Sequence, residues 1–324
     1  TELAYYYTRE TYSVTGSGFA VEHDDAKLYV YGSETNVTYG TSVSLQVFTV
    51  KGYEFTGWYE GTVAEVKEYT DLQLASEILS DEMEYTVRAE KNTNYVAVFK
   101  AIPISTPTLT VSGTASLIYG YHASNATAIS VEVAFDEDHP VAEYIAGYQW
   151  YCDGELIEGA DAAVYRIPEG LDRGDYEFTC VVTVSNSDNG DFKEFTSGAH
   201  TLQVGKSSME VETSSHEAYY DGTDNHSISV KVTKPASSAE YEIYYSTTEL
   251  NETNYASEGS LDPIKVKDVN VDDGNRTSYT VYYYILDKTE TKNYGDASGH
   301  QTITIRPVTP TLQSGSEVYY KTYD

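Results

Sequence analysis

The sequence predicts an all-β chain of three domains, the last two of them sandwiches, and three observations carry that prediction. First, Tyr148-Gln149-Trp150-Tyr151-Cys152 alternates around a tryptophan and ends on Asp153-Gly154, while Gly174-Asp175-Tyr176-Glu177-Phe178-Thr179-Cys180 opens a second alternating run. Second, Thr, Val and 33 Tyr supply the side chains that suit a pleated, half-buried surface. Third, the pattern returns about a hundred residues on. Ile129-Ser130-Val131-Glu132-Val133 recurs as Ile228-Ser229-Val230-Lys231-Val232, Tyr176 as Tyr279, and Ser197-Gly198 as Ser298-Gly299. The shifts are 99 residues (129 to 228), 103 (176 to 279) and 101 (197 to 298), near enough to constant to indicate duplication.

Composition excludes several classes. The 20 Lys and Arg against 51 Asp and Glu give a formal charge of −31, which repels nucleic-acid phosphates and anionic lipid. A hydrophobic fraction of 40% is too high for a disordered acidic chain. No apolar run approaches the ~18 residues of a membrane span, so no membrane insertion is expected. Thr1-Glu2-Leu3-Ala4-Tyr5 has neither the basic nor the apolar part of a signal peptide, and the chain reads as part of a longer protein.

Taken in order, residues 1–100 form the first domain. Strands are expected at 10–14 and 27–31, with Gly16 and Gly18 as turn residues between them, and a short helix within 71–83. Gly40-Thr41-Ser42-Val43-Ser44-Leu45-Gln46-Val47 alternates cleanly. It precedes Gly52-Tyr53-Glu54-Phe55-Thr56-Gly57-Trp58-Tyr59 and a closing run, Asn94-Tyr95-Val96-Ala97-Val98-Phe99-Lys100. This pair of motifs, from about 37 to 100, resembles the internalin-type B-repeat of Gram-positive surface proteins, in its divergent form. The resemblance implies a β-grasp-like domain whose motif residues are core residues and carry no chemistry.

Ala101-Ile102-Pro103-Ile104-Ser105-Thr106-Pro107 reads as a linker, its two prolines holding the chain extended. The second domain spans 101–205, with strands at 109–111, 129–133, 148–152, 164–167, 176–184 and 200–204. A Trp on one central strand and Gly-x-Tyr-x-Phe opening the next read as an immunoglobulin-like sandwich, and the stretch 158–184 resembles the bacterial immunoglobulin-like domains found in tandem on cell surfaces. In that resemblance Tyr176 takes the place of the corner tyrosine and Phe178 that of the usual second cysteine. The inter-sheet disulfide is absent, because 129–133 contains no Cys. The third domain, 206–308, repeats the second, with Ile243 expected at the depth of Trp150. Thr106-Pro107-Thr108-Leu109 recurs as Thr309-Pro310-Thr311-Leu312, so 309–324 reads as the first strand of a further repeat.

The sequence carries no recognisable catalytic set. The seven histidines, His23, His122, His139, His200, His216, His226 and His300, fall in separate segments without metal-ligand spacing. No nucleophile elbow, phosphate loop or dinucleotide fingerprint is present. Calcium is the one metal with a ligand pattern: Asp268, Asn270 and Asp272 offer oxygens at alternate positions. The glycine, Gly274, arrives one position late and Tyr279 stands where the closing glutamate belongs, so a turn between strands reads equally well. Asp136-Glu137-Asp138-His139 and Asp221-Gly222-Thr223-Asp224 are weaker versions of the same pattern. Cofactor-binding residues are not identified. If Trp150 faces Phe178, Cys152 falls opposite Tyr176 and Cys180 opposite Tyr148. That separation exceeds the ~7 Å limit between Cα atoms for a disulfide, so two buried thiols are expected. Closing strands without Asn, 201–204 and 302–305, argue against a Lys–Asn isopeptide.

Trp58 and Trp150 are assigned to cores. The runs Tyr5-Tyr6-Tyr7, Tyr244-Tyr245, Tyr282-Tyr283-Tyr284 and Tyr319-Tyr320 put rings on both faces of a strand, so some are exposed. Asn-x-Ser/Thr triplets stand at Asn36, Asn125, Asn251 and Asn275. The functional expectation is a non-catalytic, extracellular, cell-surface or cell-wall-associated stalk or adhesin segment, with a host or surface protein or a glycan as partner. The alternatives are a glycan-binding accessory region of a secreted polysaccharide-active enzyme, and a filament subunit associating end to end through Val318, Tyr319 and Tyr320.

Overall fold

In the computed structural model, the described residues are 9–124, 127–136, 142–272 and 275–309. The expectations placed on Tyr5-Tyr6-Tyr7, Asn125, His139, Gly274, Thr311-Leu312 and Val318-Tyr319-Tyr320 lie outside them. The chain is all-β, built as tandem β-sandwich domains after an N-terminal sheet domain. Two compact units are defined by contact, Thr1–Ser112 with Ser130–Tyr165 and Phe178–Ala199, and Gly113–Ile129 with Arg166–Glu177 and His200–Asp324.

The N-terminal domain contains β1 (Thr11–Ala20), β2 (Glu34–Thr38), β3 (Ser42–Gln46), β4 (Tyr53–Glu60), α1 (Val63–Lys67), α2 (Asp71–Ser76), β5 (Glu84–Arg88) and β6 (Thr93–Ala101). The main sheet runs β2-β1-β6-β4, with β1 parallel and β4 antiparallel to β6, and β3 pairs with β5 separately. Because neighbouring strand residues point to opposite faces, Trp58 and Tyr59 enter different cores. Trp58 packs with Val43, Leu45 and Phe99, whereas Tyr59 packs with Phe19, Val66 and Val98. Both polar tips are satisfied, Trp58 Nε1 donating to Glu82 O (2.9 Å) and the Tyr59 hydroxyl to Leu74 O (2.6 Å).

Three expectations differ here. Gly16 and Gly18 lie inside β1, and 27–31 forms no strand beyond a bridge from Tyr31 to Gln46. The glycines make room for that segment: a Cβ at Gly16 would stand 2.3 Å from Val30 Cγ1, and one at Gly18 3.0 Å from Leu28 Cβ. The short helix expected within 71–83 is present as α2, but that stretch is not the one place with a helix, because α1 precedes it. Each helix starts on a capping box, Thr62 with Glu65 and Thr70 with Gln73, a signal present in the sequence.

The first sandwich contains β7 (Thr108–Gly113), β8 (Ser116–Ile118), β9 (Ala128–Ala134), β10 (Glu143–Cys152), β11 (Glu155–Leu156), β12 (Val164–Arg166), β13 (Gly174–Asn186), β14 (Phe192–Thr196) and β15 (His200–Gly205). Its sheets run β12-β9-β7 and β11-β10-β13-β15-β8, with β14 also on β13. The turn from β10 to β11 uses Asp153 (φ +50) and Gly154 (φ +82), the two positive φ values of a two-residue hairpin loop. Tyr176 behaves as a corner tyrosine, its hydroxyl donating to Asp172 O at 3.0 Å.

The register differs by two residues from expectation: Trp150 lies opposite Cys180, and Cys152 opposite Phe178. Two large rings directly opposed would compete for one space. Instead Tyr165 comes between them, its ring centre 6.3 Å from Trp150 and 5.8 Å from Phe178. Both thiols are free, Cys180 buried and Cys152 half-buried at its strand end, and burial pushes each up to about 11. Native protein at about pH 8 is therefore expected to alkylate slowly, since the thiolate is the reactive form. Unfolded without reductant, the chain should gain two labels by intact mass, and one or none would mean a bridge.

The second sandwich contains β16 (Ser207–Ser208), β17 (Glu210–Ser214), β18 (His216–Tyr219), β19 (Ser229–Lys234), β20 (Tyr241–Ser246), α3 (Tyr255–Glu258), β21 (Val271–Asp272), β22 (Asn275–Arg276), β23 (Tyr279–Asp287), β24 (Tyr294–Gly295) and β25 (Ala297–Arg306). Its larger sheet, β18-β25-β23-β20, repeats the order β8-β15-β13-β10. The parallel pairing repeats as well: Leu117 opposite Val204 becomes Ala218 opposite Ile305, both shifted by 101 (117 to 218, 204 to 305).

Ile243 is not the counterpart of Trp150. It is only half-buried and faces Ile285, whereas Tyr245 is 7% exposed and faces Tyr283, the residue 103 beyond Cys180. Tyr245 N donates to Ser260 O (2.8 Å), as Trp150 N does to Ala160 O (3.0 Å). Parity is the same at 243 and 245, so alternation alone does not choose between them.

Candidate functional site

In a string of sandwiches the informative geometry is where one domain's loops meet the next, and one turn recurs. Asn186 ends β13 and Asp287 ends β23, 101 residues apart (186 to 287), at 2% and 1% exposure. A buried polar side chain needs partners, and both find them in the turn that follows. Asn186 Oδ1 accepts from Asp188 N (2.9 Å), and Asp287 Oδ1 from Thr289 N (2.8 Å), the bond by which an Asn or Asp side chain closes a turn.

The first turn is completed by Gly190 N donating to Asn186 O (2.8 Å), with Gly190 at φ +83. Asn189 Oδ1 accepts from Asp191 N (3.0 Å), which aims its amide nitrogen at Gly52 O (3.1 Å) in the N-terminal domain. His23 Nε2 lies 3.1 Å from Asp191 Oδ1, and its ring meets Tyr53 edge-on at 5.5 Å. Gly52 has φ +78, and a Cβ there would come within 3.0 Å of Asp188, so this glycine of the 52–59 motif is the seat of the turn. Asn189→Ala is expected to lower full-chain stability by about 0.5–1.5 kcal/mol in denaturant unfolding, the worth of an ordinary hydrogen bond.

The second turn is denser. The Asp287 carboxylate also accepts from Thr289 Oγ1 (2.8 Å) and Tyr294 N (2.9 Å), and Asp287 N donates to Asp296 Oδ1 (2.9 Å). Asp296 Oδ2 takes the Tyr284 hydroxyl at 2.7 Å, and burial first, then that carboxylate, push the Tyr284 phenol well above its ordinary range. Asn293 projects from this scaffold. Its Nδ2 donates to Asp172 Oδ1 (2.8 Å), its Oδ1 accepts from Arg173 N (2.7 Å), and its carbonyl accepts from Ser207 N (2.9 Å). Tyr294 lies edge-on to Tyr119 at 5.3 Å. Asp172 and Arg173 belong to the corner that carries Tyr176, in the same compact unit as this turn. The arrangement grips backbone and side-chain amides and presents no activated nucleophile.

The calcium candidates lie on the stretch leading into β21. Asp268 is exposed, Asn270 Nδ2 donates to Ser278 O (3.4 Å), and Asp272 sits in the short β21–β22 ladder, with 273–274 outside the described residues. Among the described residues no three of His, Cys, Asp and Glu converge as metal ligands. The histidines are not all separate: His216 and His226 meet at 3.0 Å. From the tyrosine runs, Tyr284 stacks on Tyr255 at 4.8 Å between ring centres, and Tyr244 meets Tyr255 edge-on at 5.0 Å. Asn186 and Asp287 were not singled out from sequence, although the shift of 101 was in view, because the loops after them share little sequence.

No protein-family model matches the chain, and no curated protein matches it. Solved structures with some likeness are runs of several domains. Mouse cadherin-23 EC22-24 has a TM-score of 0.28 at 10% identity, covering 93% of this chain and 99% of that one. The cadherin-like domains 1 to 4 of zebrafish RET score 0.25 at 10% identity, covering 92% and 75%. The fibronectin(III)-like modules of Clostridium thermocellum CbhA score 0.21 at 10% identity, covering 67% and 100%. At these scores the likenesses carry no statement about function, and the fold class rests on the sheet order given above.

Proposed function

We propose that this chain is a non-catalytic spacer segment of an extracellular surface protein, with domains of the kind its B-repeat and immunoglobulin-like resemblances imply for Gram-positive bacteria. The observation that supports this most is the paired turn. Asn189 and Asn293, each carried by a turn closed on a buried Asn or Asp, bond to the domain that precedes them. Side-chain bonds across a joint serve a segment that must keep its domains in fixed succession. The charge of −31 keeps such a segment soluble and apart from other acidic surfaces.

A glycan-binding role is the second reading, favoured by one exposed aromatic pair. Tyr31 and Phe48 stand edge to face at 5.4 Å, both more than half exposed, with Tyr29 exposed nearby in the sequence. A glycan array probed with the full chain separates the two. The spacer reading expects no saturable binding. Binding that disappears in Tyr31→Ala would replace it with the second reading.

A further inference from the structure

We infer that His216, His226 and Asp221 form an acid-responsive latch that holds the outer strand of the second sandwich and lets it go when both imidazoles are protonated. The three residues belong to one turn and the strand before it. His216 is the first residue of β18, a four-residue strand at the margin of the sheet β18-β25-β23-β20, where it lies opposite Ile303 of β25. His226 closes the connection to β19 and is buried, and its carbonyl accepts from Val266 N at 3.0 Å.

The proton arrangement follows from the partners. Asp221 Oδ1 accepts from Thr223 N and Thr223 Oγ1, both at 2.8 Å, and those bonds hold its carboxyl below the usual carboxylate range. The same oxygen stands 3.2 Å from His226 Nε2, so that nitrogen carries a proton and donates. In the neutral ring Nδ1 is then bare, and it accepts from His216 Nε2 at 3.0 Å. One added proton is accommodated at His216 Nδ1 with every bond intact. A second has to enter at His226 Nδ1, where it meets the His216 Nε2–H. Donor then faces donor, and two imidazolium rings stand 5.2 Å apart.

The same geometry argues against a chelated metal. The ring-centre separation is close to the nitrogen separation plus two ring radii, so the nitrogens point at each other along the line between the rings. A chelated ion needs lone pairs that converge at an angle.

The surrounding charges leave the pair to itself. On its own turn stand Asp221 and the exposed Asp224, and on β18 Glu217 is paired with Arg306. The segment around Val266 carries Lys265, Lys267 and Asp268, all exposed. On β25, Ile303 is flanked by Thr302 and Thr304, and the charge that strand brings to β18, Arg306, is the partner of Glu217. Loss of the His216 anchor frees a short marginal strand and uncovers the β25 edge, a surface on which another extended chain can pair.

The test is hydrogen exchange on the full chain at about pH 7.5 and about pH 4.5, corrected for intrinsic rates, read at the amides of 216–228. The wild type is expected to lose protection there by about tenfold or more in acid while β23 keeps its own. His216→Gln should abolish that pH dependence, because a glutamine amide can offer N–H to the bare nitrogen or, turned over, its oxygen to the protonated one. Equal protection of the wild type at both pH values overturns the latch, and so does an undiminished acid loss in the glutamine variant. Imidazole nitrogen shifts give a second readout that needs no variant. At the neutral pH His226 must carry its proton on Nε2, and an Nδ1–H tautomer contradicts the proposal.

Discussion

Trp150→Ala is expected to destabilise the first sandwich by about 3–5 kcal/mol. The indole is fully buried near the C-terminal end of β10, and its loss leaves a cavity that Tyr165 and Cys180 cannot fill, because each is fixed by its own strand. The loss is more than volume. Trp150 Nε1 donates to Ala162 O at 2.8 Å, and the variant loses that part-buried hydrogen bond as well. Chemical denaturation followed by near-ultraviolet circular dichroism reads both, and an unchanged unfolding midpoint would remove Trp150 from the core. Tyr245→Ala in the second sandwich should cost less, because a phenol is smaller and its counterpart position is not fully closed.

Asp287→Ala is the second large effect, roughly 3 kcal/mol, and its origin is polar. The carboxylate is the acceptor for Thr289 N, Thr289 Oγ1 and Tyr294 N at a site 1% exposed, so truncation leaves buried donors unmet, each at about 1–3 kcal/mol before relaxation. Asp287→Asn retains one acceptor oxygen but turns an amide N–H2 toward a group that also donates. It should fall between wild type and alanine in thermal unfolding of the full chain. If alanine and asparagine were equally stable, the carboxylate would not organise the turn.

Much of the fold was legible in the sequence, and what escaped has a common physical cause. The alternating runs placed β9, β10, β13 and β15, and the repeat distance foretold a second sandwich whose strand order and parallel pairing match the first. A period of two says which face a side chain takes and not how far along its neighbour it sits. That is why Trp150 was expected opposite Phe178 and Ile243 was taken for its counterpart: each error is a slip of two residues, invisible to parity. Only Tyr165, arriving from the other sheet, decides the first, and only the ladder from β20 to β23 the second. Gly16 and Gly18 were misread for a related reason. Their function is to clear space for Leu28 and Val30, a relation between segments that local turn statistics do not contain.

The candidate site was less legible than the fold. Asn186 and Asp287 act through side-chain bonds to nearby main chain, and Asn189 and Asn293 through bonds to residues more than a hundred positions away. Such contacts impose no period on the sequence. The meeting of His216 with His226 is local, ten residues apart, yet it depends on the turn that Asp221 and Thr223 fold back.

The claim that these turns hold one domain to the domain before it is tested most directly at the amide of Arg173, which donates to Asn293 Oδ1. Hydrogen exchange on full-length Asn293→Ala should show faster exchange at Arg173 and through 287–296, with Trp150 and its strand unchanged. Exchange at Arg173 identical to wild type would mean that the turn touches the first sandwich without holding it, and the spacer account would lose its support.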